Sequence, residues 1–211
     1  AEWPDTCIAE ALIAFTHEVS LVGARNRAGQ KTFYPLTRNW HESGILRASI
    51  AGLAISEAQQ QQAESWLGRI MDDQNYVGVM AMECFVEADQ LLVNELAPRV
   101  HNSGHWTQAG ASISQFELHL RAVADLPLIT PEVQGISVMY NLLGRHWQPR
   151  WLSVPGTHVH WYAKEVRPGR KVGHVNINRA NSADLAQSLE SLRELVETED
   201  HSVFDWALSH L

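Results

Sequence analysis

GVMAMECFVEADQLLVNELAPRVHNSGHWT, residues 78–107, decides how the rest of the chain is read. Residues 78–86 and 91–96 are apolar runs separated by a polar turn around Ala88-Asp89, the pattern of a β-hairpin. Glu83 interrupts the first run, and Asn94-Glu95 interrupt the second. A two-residue turn sets Glu83 opposite Asn94; a turn one residue longer sets it opposite Glu95. Either way two carboxylates converge near one face. Like charges across a strand pair cost up to about 1 kcal/mol, and burial makes the conflict worse. A divalent cation removes it, and Mg²⁺ characteristically uses one or two carboxylates together with phosphate oxygens. Read in isolation, two solvated acids at strand ends satisfy the same pattern.

The strand runs straight into a loop at 97–110 that is rich in Gly, Pro and His. Arg99 can clamp a phosphate or carboxylate through two parallel hydrogen bonds. Asn102 and Ser103 can read polar ligand edges, and Gly104 permits close backbone approach. His101 and His105 stand four residues apart, but no helical pattern faces them together. A purely structural polar loop is the alternative here. Further on, Lys164, Arg167, Arg170 and Lys171 surround a Pro-Gly turn with one acid, Glu165. Turn-mounted cations with free backbone donors make a phosphate cradle, and a solvated hairpin tip is again the competing reading. Near the start, Glu10 and Glu18 sit at strand edges where a carboxylate can accept paired ribose hydroxyls. Alone, both read as solvated acids, and His41 as a loop histidine.

Working outward, runs at 6–13, 18–24, 31–34 and 45–50 read as strands, with a turn at 26–29. Ser56 and Gln59 form a capping box for a helix that buries Ala63, Trp66, Leu67, Ile70 and Met71. Ser112 and Gln115 are expected to cap a second helix with Ile113, Phe116, Leu120 and Val123 inward. Strands follow at 136–143, 158–162 and 172–177. Leu185, Leu189, Leu192 and Val196 mark a last helix. The fold class is α+β, a mixed sheet with helices. The division is 1–128, and 129–211 as a smaller C-terminal domain carrying the basic turn.

The net charge of −8 argues against general affinity for nucleic acid or an anionic membrane. No apolar stretch reaches the roughly 18 residues that a membrane span needs. Cys7 and Cys84 lack metal-ligand spacing and read as two reduced core thiols of a cytoplasmic protein. The start at Ala1, within a few residues of a strand-like run, reads as a start inside a larger protein. Phosphate-loop and dinucleotide glycine motifs do not occur, nor does a Ser or Cys nucleophile motif. A covalent acyl-enzyme therefore has no support.

Residues 76–86, 91–107, 114–128 and 158–174 together resemble 5-(carboxyamino)imidazole ribonucleotide synthase, and the likeness extends more weakly from about Cys7 to the C-terminus. The string NELAPR-x-HNSGHWT is its most specific part. The resemblance implies an ATP-grasp fold and the use of ATP and Mg²⁺. It implies that bicarbonate is phosphorylated to carboxyphosphate and its carboxyl group passed to 5-aminoimidazole ribonucleotide. By matching position, Glu83 and Glu95 would hold Mg²⁺, with Asn94 beside them. Glu10, Ala11, Leu12 and Ile13 would form the adenine-side linker, Glu18 would take the ribose hydroxyls, and His41 would lie near the nucleotide. Arg99, His101, Asn102 and Ser103 would approach bicarbonate and the aminoimidazole. Lys164, Arg170 and Lys171 would hold the 5′-phosphate. A homodimer is also implied. The linker departs from the Gln-Gly pair frequent in the family. Nothing in the chain corresponds to the family's N-terminal domain, ATP-grasp lysines or glycine-rich phosphate loop, so the chain reads as a portion that is inactive alone. Another purine-pathway ligase of the same fold, or a non-catalytic fragment, are the competing readings.

Overall fold

The computed structural model describes Cys7 and residues 10–211. Its strands are β1 (His17–Arg25), β2 (Lys31–Phe33), β3 (Thr37–Glu42), β4 (Ile45–Ala51), β5 (Gly78–Glu87), β6 (Gln90–Ala97), β7 (Ile136–Leu143), β8 (Thr157–Trp161) and β9 (Lys171–Arg179). The helices are α1 (Glu57–Asp73), α2 (Thr107–Gly110), α3 (Gln115–Val123), α4 (Ser182–Arg193) and α5 (His201–Leu208). One antiparallel sheet runs β6-β5-β1-β3-β4-β7-β9-β8, with β2 paired to β1. The expected domain border at 128 falls between α3 and β7, and the sheet crosses it through the β4–β7 pairing.

Because side chains alternate across a strand, the two faces carry different chemistry. On one face Val19, Leu21, Met80 and Met82 pack against Ala63, Leu67 and Met71 of α1. Farther along the same face, Ile50, Val138, Tyr140 and Val175 meet Leu185, Leu189 and Leu192 of α4 and Phe204 of α5. The opposite face carries a row of buried polar residues, Ser20, Asn39, Ser49, Ser137, Asn141, His174 and Asn176. The loop after β6, with α2 and α3, covers that face, and Trp106, Ile113 and Leu118 supply its apolar contacts.

Several local expectations are corrected. The described part of the run expected as a strand at 6–13 forms none; residues 6, 8 and 9 lie outside the described residues. Leu12 is fully exposed, and the first backbone bond to the sheet is Thr16 N–H to Val86 O at 2.8 Å. Ser56 does cap α1 through the Gln59 N–H, but the Gln59 side chain donates to Asp89 O rather than closing the box. The cap of α3 is Ser114, not Ser112, and the buried face is Gln115, Leu118 and Ala122. Phe116, Leu120 and Val123 point outward instead. The shift of cap by two residues rotates the buried stripe by about 200°. Three elements lie beyond the sequence reading: β3, whose alternation is broken by charged and aromatic residues, the four-residue α2 inside the run read as a loop, and the short α5. Cys7 is exposed rather than in the core, whereas Cys84 is buried and burial pushes its thiol up to about 12.

Candidate active site

The hairpin turn has two residues, Ala88 and Asp89, both at positive φ. Such a turn alone would set Glu83 opposite Asn94. A β-bulge intervenes: Cys84 pairs with Val93, but Glu83 pairs with Glu95, leaving Asn94 as the extra residue. Bulges re-aim side chains in this way, and here the effect is to bring two carboxylates into register. A third carboxylate stands close. Ser20 of β1 is the neighbour of Glu83, and Glu18 lies two residues along the same face.

His41 ties this acidic group together, its Nδ1 2.6 Å from Glu18 Oε2 and its Nε2 4.0 Å from Glu83 Oε1. Burial alone would lower the imidazole pKa, but Glu18, then Glu83 and Glu95, outweigh it and raise it. Burial raises the Glu83 carboxyl, with Glu95 and Glu18 adding to the rise and His41 opposing it. Among the described residues no group of three His, Cys, Asp or Glu side chains could cage a metal ion. Two facing carboxylates that need ligand oxygens to complete a shell suit Mg²⁺ bound with phosphate, not a protein-enclosed cation.

These residues line a cavity of about 820 Å³ that Phe15, Phe85, Trp40 and Trp206 wall on its apolar side. Glu18, His41, Glu83, Asn94 and Glu95 all face it; Glu10, Ala11, Leu12 and Ile13 do not. Trp206 belongs to α5, which sequence reasoning did not find. Its ring stacks on Trp40 at 6.0 Å.

From this cavity a buried chain of hydrogen bonds crosses the polar face. Ser49 Oγ donates to Asn39 Oδ1 (2.8 Å), Asn39 Nδ2 to Ser20 Oγ (2.9 Å), and Ser20 Oγ to Ser103 Oγ (2.7 Å). The Ser103 hydroxyl then donates to His101 Nδ1 at 2.9 Å, where the Ser103 backbone N–H also points. Burial, then Arg99, lowers the His101 pKa to about 4. The ring is therefore neutral, Nδ1 is the acceptor, and Nε2 carries the proton 3.7 Å from Glu83 Oε1. A serine inside a mainly apolar strand was the available signal for Ser20 and Ser49, whereas Asn39, on the polar β3, carried none.

The loop itself is held by Gln115. Its Oε1 accepts from His101 N–H (2.9 Å), and its Nε2 donates to His101 O (2.7 Å) and to His105 Nδ1 (3.1 Å). A Cβ on Gly104 would come within 2.6 Å of that Oε1, so the close approach demands glycine. Arg99 is exposed and, among the described residues, donates only to Val100 O. The basic turn meets the loop at one point: Lys171 Nζ donates to Asn102 Oδ1. Burial, then Lys164, lowers the Lys171 pKa to about 7. Lys164 and Arg170 are exposed.

Beside this contact three imidazoles stack. His174 lies between His105 (4.5 Å) and His160 (4.4 Å), and Phe116 extends the column beyond His105 at 5.6 Å. Burial is the main cause that lowers all three, His105 to about 3 and His174 to about 2. A histidine whose folded pKa is depressed binds its proton more tightly when unfolded. Its stabilising contribution is complete above about 6.5 and is lost as the pH falls from there toward the folded value. The expected slope below pH 6 is about 1.4 kcal/mol per pH unit for each such histidine. Urea midpoints measured from pH 7 to pH 4 should therefore fall less steeply for His174→Gln than for the parent. Parallel curves would assign the acid sensitivity to other groups.

Residues 1–116, more than half of the chain, match the family model described as ATP-grasp domain. Residues 137–188 match the model described as phosphoribosylaminoimidazole carboxylase C-terminal domain. With an antiparallel sheet presenting paired acids to an open cavity, the chain belongs to the ATP-grasp family. Within it, the chain is 57% identical over 209 residues to the N5-carboxyaminoimidazole ribonucleotide synthase of Escherichia coli, covering 99% of this chain and 59% of that protein. For the enzyme of the same name from Haemophilus influenzae the identity is 56% over 208 residues, covering 97% of this chain and 57% of that one. The crystal structure of the synthetase from Thermus thermophilus superposes with a TM-score of 0.86 at 49% identity, over 89% of this chain and 53% of that chain. The Aspergillus clavatus synthase, solved with ADP and 5-aminoimidazole ribonucleotide, gives 0.77 at 28% identity, over 86% and 52%. The chain thus spans under two thirds of the length of these relatives.

Proposed function

We propose that the chain is the metal- and substrate-holding portion of an ATP-dependent ligase that carboxylates 5-aminoimidazole ribonucleotide with bicarbonate, through carboxyphosphate. The observation that carries this reading is the bulged register of Glu83 against Glu95, opening on a cavity that Glu18 and His41 share. The names of the relatives support the substrate and the reaction.

In this reading Glu83 and Glu95 hold Mg²⁺, which neutralises charge on the polyphosphate. Asn94 sits beside them, Glu18 accepts the ribose hydroxyls, and His41 orients Glu18. Glu10 through Ile13 read the adenine edge through their backbone. Arg99, His101, Asn102 and Ser103 receive bicarbonate and the aminoimidazole. His101 presents a neutral Nε2–H donor toward developing negative charge, an arrangement that works through preorganisation rather than a protein nucleophile. Lys164, Arg170 and Lys171 hold the 5′-phosphate. The division into 1–128 and 129–211, and a homodimeric state, belong to the same reading.

The test is ADP release from ATP and bicarbonate, with and without 5-aminoimidazole ribonucleotide, for this chain beside a protein of the relatives' full length containing it. Ribonucleotide-stimulated release by the longer protein alone is expected. Release that ignores the ribonucleotide would leave the fold and remove the substrate assignment.

A further inference from the structure

One aromatic residue of the 158–174 segment, given no role in the sequence reading, packs against the basic turn. The Tyr162 ring is approached by two ammonium groups, Lys164 Nζ at 5.0 Å and Lys171 Nζ at 5.7 Å from its centroid. Both are within cation–π range. Its other end is fixed: the hydroxyl is 2.6 Å from His174 Nδ1. The direction of that bond follows from the far side of the imidazole, where His174 Nε2 lies 3.0 Å from Gln108 Oε1 and must donate. Nδ1 is then the acceptor and the phenol the donor. Burial pushes the phenol up to about 12, so the proton stays on oxygen. His174 cannot rotate away, being clamped between His105 and His160.

Two like charges seldom share one aromatic ring without a reason. The ammonium groups repel each other, and each would be better hydrated apart. Lys171 is also drawn to Asn102, on the loop that faces the acidic cavity. A dianionic phosphate monoester between the two ammoniums relieves the repulsion. It would find the pair already gathered, without the ordering cost of two long side chains.

We propose that Tyr162 is the positioning residue of the phosphate clamp: held by its bond to His174, it gathers Lys164 and Lys171 against its ring so that together they bind a phosphate monoester. The inference rests on the proposed function's assignment of the 5′-phosphate to this turn, and adds how the clamp is assembled.

The chain has only three lysines, Lys31, Lys164 and Lys171, which makes a direct test practical. Reductive ¹³C-methylation of the full chain gives one resolved NMR signal per lysine, each with its own titration. Ribose 5-phosphate is the probe. In the parent, the Lys164 and Lys171 signals should shift together with one dissociation constant, and Lys31 should stay still. Tyr162→Leu should weaken that binding about tenfold and move the Lys171 titration up toward that of a free lysine. Tyr162→Phe keeps the ring and loses only the tether, so its affinity should fall between the two. Unchanged affinity and an unchanged Lys171 titration in Tyr162→Leu would overturn the role of Tyr162 while leaving the phosphate site standing. No response of Lys164 or Lys171 to ribose 5-phosphate in the parent would overturn the phosphate site itself, and this inference with it.

Discussion

Glu95→Gln, placed in a protein of the relatives' full length, is expected to lower ribonucleotide-stimulated ADP release by roughly 10²- to 10³-fold, with its fold intact. Glu95 is exposed on β6, so the substitution removes a charge from a solvated position and disturbs no packing. Glu83→Gln is expected to abolish activity to a similar degree, but its effect on stability has the opposite character. Glu83 is half-buried beside Glu18 and Glu95, and its pKa is raised by burial and then by those neighbours. A carboxyl raised in the folded state contributes stability that is fully present below its unfolded value near 4.5 and is lost as pH rises through the folded value. At neutral pH and without metal, the ionised Glu83 is therefore a liability. Glu83→Gln should stabilise the chain by about 0.5–1 kcal/mol at pH 7, and this gain should vanish as the pH falls toward 4.5. Thermal unfolding at pH 7 and pH 4.5, without and with Mg²⁺ and ADP, separates the two acids. Added Mg²⁺ and ADP should raise the parent's midpoint and leave both variants where they were. A parent that does not respond, or a Glu83→Gln protein less stable than the parent at pH 7, would contradict the picture of a strained acidic pair awaiting a cation.

How much of this site was legible in the sequence depends on the range of the interaction that builds it. The hairpin was readable because apolar runs and a polar turn are local signals. Even so, the register of Glu83 was open between Asn94 and Glu95, since the bulge that decides it leaves no mark in the hydrophobic pattern. The α3 helix shows the opposite error. Phe116, Leu120 and Val123 have helical spacing and look like a core stripe, yet they face outward, because the cap is Ser114 and Leu118 and Ala122 are the residues turned to the sheet. Gln115, assigned to the cap, instead holds the loop through both His101 and His105. The stacked histidines and Tyr162 were out of reach, since their relation joins residues up to 69 apart through ring contacts that no spacing rule encodes. Lys171 could be named from the basic turn, but its desolvation and its bond to Asn102 could not.

The same limit applies to α5, and there it leads to the largest stability effect expected in the chain. Asp200 precedes α5, is 1% exposed, and does not cap the helix with its side chain. Its carboxylate is committed elsewhere. Oδ1 accepts from Arg47 Nη2 at 2.6 Å, and Oδ2 accepts from Arg145 Nε at 2.6 Å and from the Tyr140 hydroxyl. One buried acid thus joins the start of α5 to β4, to the middle of β7 and to the segment after it. Arg47 already has a buried Nε without a partner, so it has nothing in reserve. Asp200→Ala leaves the buried Arg47 guanidinium with only the exposed Glu42 and removes the partner of Arg145. Breaking one side of a buried pair costs about 3–5 kcal/mol, a large share of the roughly 5–15 kcal/mol that holds a typical domain folded. With a urea m-value of about 2–3 kcal/mol/M, the midpoint should fall by about 1–2 M. Arg145→Met should cost less, because Arg145 is partly exposed and Asp200 keeps Arg47. A fall under about 0.3 M for Asp200→Ala would mean that water already shares the carboxylate. If the full loss is found, the wall that Trp206 contributes to the acidic cavity should loosen with it, because Asp200 anchors the start of the helix that carries Trp206. A rise in Trp206 solvent exposure, measured by fluorescence quenching below the unfolding transition, is the expected companion of the lower midpoint.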